Sequence, residues 1–215
     1  MSASLAKLIV ESSSPGQGAI TGVVTGVVTN NKDEEGLGRV KVKFPWLSNT
    51  IDSFWARIAT PMAGGGRGVY FVPEVDDEVL IAFERGDLSR PIVIGSLWNG
   101  KDLPPANNKD GRNDVRMIRS RSGHVIRLND ADGKGTVEVI DASGKNSIVI
   151  DTARNTVTVR SEADLVFSAP KGRVRITGKK VEIESSAETK IKAGADLTVS
   201  TSKTLNITGS TVNIN

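Results

Sequence analysis

The sequence predicts an all-β chain in two parts, a small closed barrel followed by a β-prism that needs three copies to form. Three observations predict it. Short β-branched runs separated by turn residues fill 20–100, and no segment of the chain has helical period. From about Thr136 to Asn215 an apolar-x-apolar doublet then recurs every eight residues or so. Composition points the same way: 38% of the 215 residues are hydrophobic but only 4% are aromatic, too few large side chains for an ordinary globular core.

Residues 1–19 read as an arm. Met1 to Gly18 is Ser-rich, and its one apolar stretch, Leu8 to Val10, is too short for a secretory core or a membrane span. The expectation is a chain made in a bacterial cytoplasm without a signal peptide. Residues 20–100 form the barrel. Val23–Val28, Gly38–Phe44, Trp55–Thr60, Val79–Phe83 and Ile92–Leu97 are the expected strands. Asn30-Asn31, Pro45, Gly64-Gly65-Gly66, Asp76-Asp77 and Gly86-Asp87 separate them. Five short strands favour closure, because a closed sheet has no open edge. Trp46, Trp55 and Trp98 are expected to pack this barrel, with a partner surface as the alternative for Trp46 beside Pro45. Residues 101–113 read as a linker, where two prolines remove ladder donors and the polar run after them has nothing to bury. A transition follows, and 114–215 is the second domain, regular from about 136.

In that domain the doublets are Val137 with Val139, Ile148 with Ile150, Val157 with Val159, Leu165 with Phe167, Val174 with Ile176, Val181 with Ile183, Leu197 with Val199, Leu205 with Ile207, and Val212 with Ile214. Ile191 fills the one gap in the series. Within a doublet the two side chains share one face of an extended strand. Burying both stabilises by roughly 3–6 kcal/mol. Fixing about eight residues costs on the order of 8–16 kcal/mol in backbone entropy. One copy has an apolar face and nothing to cover it. A single-chain solenoid of three strands per coil would show a longer period and a capping element, and neither is visible. Three chains meeting on a shared axis satisfy the short period. The doublets, apart from Leu165 with Phe167 and the single Ile191, are therefore assigned as trimer core.

Chemistry-bearing patterns are sparse. With no cysteine there is no disulfide or thiolate chemistry. Gly64-Gly65-Gly66-Arg67-Gly68 lacks the Lys-[Ser/Thr] of a phosphate loop and reads as a barrel loop. Asp130-Ala131-Asp132-Gly133 has Val139 where a calcium loop needs a bidentate Glu, so it reads as a turn. His124 is the only histidine, with no second ligand or nucleophile at useful spacing. Glu34-Glu35 and Asp76-Asp77 sit in turns. No enzyme, cofactor or metal site is expected. The 28 basic residues are scattered among 25 acidic ones, so specific nucleic-acid binding is not expected either.

Several motifs together carry a resemblance. Gly36-Leu37-Gly38-Arg39-Val40-Lys41-Val42, Trp55-Ala56-Arg57, Gly68-Val69-Tyr70-Phe71-Val72-Pro73-Glu74-Val75, Asp77-Glu78-Val79-Leu80, Arg90-Pro91-Ile92-Val93-Ile94-Gly95 and Trp98-Asn99-Gly100 resemble the baseplate V or VgrG family of contractile injection systems. Arg119-Ser120-Arg121-Ser122-Gly123-His124, followed by Asp130-Ala131-Asp132-Gly133, is similar to the junction where such spikes enter their β-prism. The resemblance implies an oligonucleotide/oligosaccharide-binding (OB) barrel followed by a triple-stranded β-helix. It implies a homotrimeric spike beneath an inner tube, driven through a target envelope by sheath contraction. It further implies a separate hub protein at the barrel and a PAAR-like tip protein at Val212, Asn213, Ile214 and Asn215, with effector cargo as a further passenger. Some spikes of the family carry a lysozyme domain between barrel and needle, for which the short linker leaves no room. The competing reading is a nucleic-acid- or glycan-binding barrel on a β-solenoid stalk, which exposed aromatics flanked by Lys and Arg would favour.

Overall fold

A computed structural model describes residues 20–213; the arm at 1–19, and Ile214 and Asn215, lie outside the described residues. The chain divides into a unit ending at Val159 and a second one beginning at Arg160.

The barrel holds eight strands: β1 Val23–Asn30, β2 Lys41–Phe44, β3 Ser48–Asp52, β4 Arg57–Ile58, β5 Ala63–Gly64, β6 Arg67–Gly68, β7 Glu78–Phe83 and β8 Pro91–Ser96. Six of them form one sheet in the order β3-β2-β1-β7-β8-β4. A bridge between Val40 and Ala56, with both backbone hydrogen bonds made, joins the β4 side back to the β2 side and rolls the sheet up. Strict alternation in β2 and β7 places Val42, Phe44, Val79, Ile81 and Phe83 inside, where Val28, Val40, Ala56 and Val93 meet them. Gly26 lies where β1 crosses this core. A β-carbon there would come within 2.8 Å of Ile81 Cδ1 and 3.1 Å of the Lys43 carbonyl, so the close approach requires glycine.

The five expected strands are all present with changed bounds. Gly36 and Gly38 take φ of 68° and 69°, so the second strand starts only after them. β3 has no counterpart among the expected strands, because Ser-Asn-Thr-Ile-Asp carries no apolar alternation. The Gly64-Gly65-Gly66 run is the tip of a separate two-stranded hairpin, β5–β6, not an irregular loop. The tryptophans need correction. Trp46 and Trp98 are 54% and 70% exposed, each carried outward by the turn beside it, at Pro45 and at Asn99-Gly100. Phe44 and Phe83 form the aromatic core instead, with ring centroids 5.7 Å apart.

Beyond the barrel, β9 Val115–Arg119, β10 Val125–Asn129, β11 Thr136–Ile140, β12 Ser147–Asp151 and β13 Thr156–Arg160 form a five-stranded sheet in sequence order. Each successive pair of β9–β12 is antiparallel and in unbroken register. The first three expected doublets therefore sit in a ladder made within one chain. From 161 to 213 no residue lies in a strand. Stretches without regular structure there are interrupted by bends or turns at 162–163, 170–172, 179, 186–187, 194–195, 202–203 and 210, the expected period of about eight. The expected prism thus has no ladder within a single copy.

Candidate assembly surface

The β9–β13 sheet sorts its side chains by face. One face carries the rows Ile118–Ile126–Val139–Ile148 and Leu128–Val137–Ile150, each step a directly opposed pair. These side chains are 38–51% exposed, with Val157 and Val159 of β13 also exposed. The other face holds Met117, Arg127, Glu138 and Val149 in one row. Glu138 is buried there, its carboxylate accepting from both the Arg127 guanidinium and, at 2.6 Å, the Thr136 hydroxyl. This second face is mixed and mostly half-buried, whereas the first face is apolar and uncovered, the reverse of what a free-standing sheet requires.

Tight turns hold the rows in line. Asp141 organises the β11–β12 turn: its carboxylate accepts from the Ser143 hydroxyl, from the backbone N–H groups of Lys145 and Asn146, and from the Asn146 amide. The Ser143 hydrogen bond, followed by that of the Asn146 N–H, holds the Asp141 carboxyl well below the usual carboxylate range. His124 has a structural place here, since its Nδ1 accepts the Ala142 N–H at 3.1 Å and ties the β9–β10 turn to the β11–β12 turn. The Asp130-Ala131-Asp132-Gly133 segment is a turn, closed by the Lys134 N–H on the Ala131 carbonyl, with Asp130 paired to Arg116. Arg121, at the β9–β10 turn, reaches both carboxylate oxygens of Glu74 in the barrel at 3.1 Å.

In a single copy the doublets of the second unit, assigned to the core of a trimer, are uncovered. Val174 and Ile176, Val181 and Ile183, Leu197 and Val199, Leu205 and Ile207, and the single Val212 are all exposed, between 48% and 73%. Leu165, Phe167 and Ile191 are exposed as well. The physical reason is the missing second layer: from 161 to 213 no residue of the chain has a strand partner, and nothing of its own covers these side chains. Ile176 and Ile183, at 73%, and Val199 and Ile207, at 66% and 64%, are more exposed than the first members of their doublets. The alternation itself is visible in the polar neighbours. Arg175 Nε donates to the Thr177 hydroxyl at 3.2 Å, and Lys180 pairs with Glu182, so residues two apart share the side opposite the doublets. Ile214 and Asn215, assigned to core and tip contact, lie outside the described residues; Val212 and Asn213 are exposed.

The barrel carries two features that strand periodicity does not announce. A groove of about 840 Å³ separates the Gly36–Gly38 turn from the β5–β6 hairpin, and Leu37, Met62, Tyr70 and Phe71 line it while exposed. The Gly-Val-Tyr-Phe-Val run is the available signal, five residues with no polar alternation. Trp55, half-buried, has the Arg39 guanidinium 5.5 Å and the Lys41 ammonium 5.2 Å from its ring centre. Arg39 is in turn clasped by Asp33, whose carboxylate also takes backbone N–H groups of Glu35, Leu37 and Arg39. The Arg39 side-chain hydrogen bond comes first in holding Asp33 far below its ordinary value. Among the described residues no three His, Cys, Asp or Glu side chains are grouped to hold a metal ion, and no helix is long and apolar enough to cross a membrane.

Comparison with known proteins matches this geometry. Residues 24–98 match the type VI secretion system/phage-baseplate injector OB domain. The type VI secretion system spike protein VgrG1b of Pseudomonas aeruginosa is 36% identical over 149 residues, covering 63% of this chain and 19% of the relative. VgrG1a of the same organism is 30% identical over 149 residues, with 63% and 22% covered. The spike protein VgrG3 of Vibrio cholerae is 29% identical over 127 residues, with 56% and 12% covered. The chain thus spans about a fifth or less of the length of these curated relatives. The similarity to the two Pseudomonas proteins takes in more of the chain than the barrel alone. The chain is similar to VgrG spike proteins, and its barrel, residues 24–98, matches an injector OB domain of the kind shared by type VI secretion systems and phage baseplates.

Proposed function

We infer that this chain is a structural subunit of the central spike of a contractile injection machine, working as a homotrimer and by mechanics rather than bond chemistry. One observation carries the reading. Between 161 and 213 no residue lies in a strand, bends or turns recur about every eight residues, and the apolar doublets stand exposed. Backbone donors and acceptors in extended strands need partners, and the doublets need a cover. Two further copies supply both. The uncovered face of the β9–β13 sheet asks for the same cover.

In this reading the three apolar faces close on a common axis as a triple-stranded β-helix, and side chains such as Ile176, Ile183, Val199 and Ile207 become buried only there. A prefolded, laterally bonded rod then transmits the force of sheath contraction and opens a target envelope without hydrolysing it. The spike assembles with other components of the particle; a hub protein at the barrel and a PAAR-like tip protein on the needle are the partners it would meet. The competing reading, a barrel that stacks bases or sugars, would rest on the exposed Tyr70 and Phe71 and on Trp55 with Arg39 and Lys41 beside it, but it leaves the uncovered doublets of the repeats unexplained.

Light scattering on the full chain tests the reading. The expected mass is three times the 22.8 kDa of one copy, unchanged in mild detergent. A monomer at all concentrations would remove the spike and return the chain to the binding-module reading.

A further inference from the structure

The eight-residue repeat that builds the needle also threatens it. One doublet is much like the next, so a chain displaced by a whole repeat loses almost none of its apolar burial. Something other than the core must choose the register.

The exposed side of the repeats carries such information. In 174–199 the residue between the two doublet positions is Arg175, Glu182, Lys190 and Thr198 in successive repeats. The residue just after each doublet is Thr177, Glu184, Lys192 and Ser200. All are exposed and all lie opposite the apolar side chains by the alternation seen in the Arg175–Thr177 and Lys180–Glu182 contacts. The first column thus runs positive, negative, positive, and the second runs negative, positive over the same two repeats.

Three-fold symmetry says which of these become neighbours. Each chain steps to the next wall of the prism at every bend, and all three chains do so together. On any one wall, therefore, the segment stacked on repeat n of one copy is repeat n+1 of another, running in the same direction. Arg175 of one copy then lies beside Glu182 of a second copy, Glu182 beside Lys190, and Glu184 beside Lys192. Directly opposed unlike charges stabilise adjacent strands and like charges destabilise them. Shift one chain by a repeat in one direction and every residue of both columns faces its own counterpart. Shift it the other way and Arg175 faces Lys190. Arg173, Lys180, Glu188 and Asp196, which open the same four segments, run two positive then two negative; one step sets Lys180 beside Glu188 but also Arg173 beside Lys180 and Glu188 beside Asp196, so this column works against the register that the other two favour.

We propose that Arg175, Glu182, Glu184, Lys190 and Lys192 form an inter-chain charge ladder that recognises a second copy of this chain one repeat out of step and so fixes the register of the needle. The proposal rests on the trimeric reading above, and its test separates the two.

The chain has no cysteine, so introduced thiols report neighbours directly. In the full chain carrying both Thr198→Cys and Asn206→Cys, middle positions of consecutive repeats, mild oxidation is expected to give a covalent trimer on a non-reducing denaturing gel. Thr198→Cys alone is expected to stay uncross-linked. In the double-cysteine background, Glu182→Lys should cut the covalent trimer several-fold and lower the melting temperature. Reversing the whole column with Arg175→Glu, Glu182→Lys and Lys190→Glu should restore both. At ~1 M salt, where screening acts within about 3 Å, the gap between Glu182→Lys and the parent should shrink. If the parent is a monomer, the spike reading itself fails. If it is a trimer but the single cysteine cross-links as well as the pair, or Glu182→Lys changes nothing, or the reversed column assembles no better than the single variant, the charge ladder is overturned.

Discussion

The barrel and the repeats use the same apolar residue types to opposite ends. In β2 and β7 every second side chain is buried by the same chain, and the core of Phe44, Ile81, Val79 and their neighbours is complete in one copy. In β10–β12 every second side chain is as apolar, yet stands exposed on a face with no cover. The difference is not hydrophobicity but closure. A sheet that rolls until Val40 meets Ala56 supplies its own second layer, whereas a meander of five short strands cannot. On the trimeric reading proposed above, stability in the first region is a property of the monomer, whereas in the second it depends on concentration and assembly.

The most damaging test places a charge where the second region needs a cover. In the proposed trimer Val139→Asp puts three carboxylates against one another at the common axis, and an unpaired buried charge costs several kcal/mol per copy. The trimer is expected to be lost by light scattering while the barrel keeps its tryptophan emission. A paired truncation sharpens the comparison. Ile81→Ala is expected to cost about 2–5 kcal/mol of barrel stability by denaturant unfolding at any protein concentration. Ile150→Ala is expected to cost a comparable amount per copy, but only where the trimer forms, so its penalty should vanish on dilution. Equal penalties at all concentrations would mean that the two regions do not differ in the way described. Gly26→Ala should be milder, about 1–3 kcal/mol, because the new methyl group meets Ile81 Cδ1, a flexible side-chain end, before it meets backbone.

What is legible in the sequence follows from the same contrast. The eight-residue period survives into the structure as evenly spaced bends, because turns are local and the spacing of doublets is written residue by residue. Five barrel strands are legible where alternation and β-branching coincide, as in Val79–Phe83. β3 is not, since Ser48–Asp52 pairs with β2 for positional reasons that its polar side chains do not advertise. The tryptophans mislead because a large apolar residue is expected inside, while small valines fill most of this narrow interior. The later doublets show a different limit. A period says that Ile176, Ile183, Val199 and Ile207 share a face, but burial needs a second layer, and no sequence of one copy contains it. The apolar face of the β9–β13 sheet is half legible. Its doublets on β11–β13 follow the period, but Ile118, Ile126 and Leu128 do not, because the first two strands fall outside it. Its polar counterpart, Arg127 with Glu138 across two strands, depends on register, which a single sequence does not display.

The smallest effect concerns the turns that hold these rows in line, and its sign is fixed by hydrogen bonding. Asp141 accepts from the Ser143 hydroxyl on one carboxylate oxygen and from the Asn146 N–H on the other, and both bonds are stronger to the ionised group, so folding holds its carboxyl below the ordinary value of 3.8. A group depressed in the folded state stabilises that state at every pH above its unfolded value. That contribution fades as pH falls from about 4 towards the lower folded value, where both states are protonated. Asp33 in the barrel is depressed in the same direction, by Arg39 first of all, so acid should weaken both regions. The comparison can be split by substitution. Asp141→Asn keeps the acceptor shape but not the charge, and should flatten the acid dependence of assembly, followed by light scattering between pH 5 and 3, while leaving that of the barrel intact. Asp33→Asn should do the converse, flattening the barrel's acid dependence in denaturant unfolding and leaving the trimer's alone. Because Asp141 aligns Val139 with Ile148, a flattened profile in the first variant and an unchanged one in the second would place the acid-sensitive step of assembly at a single turn.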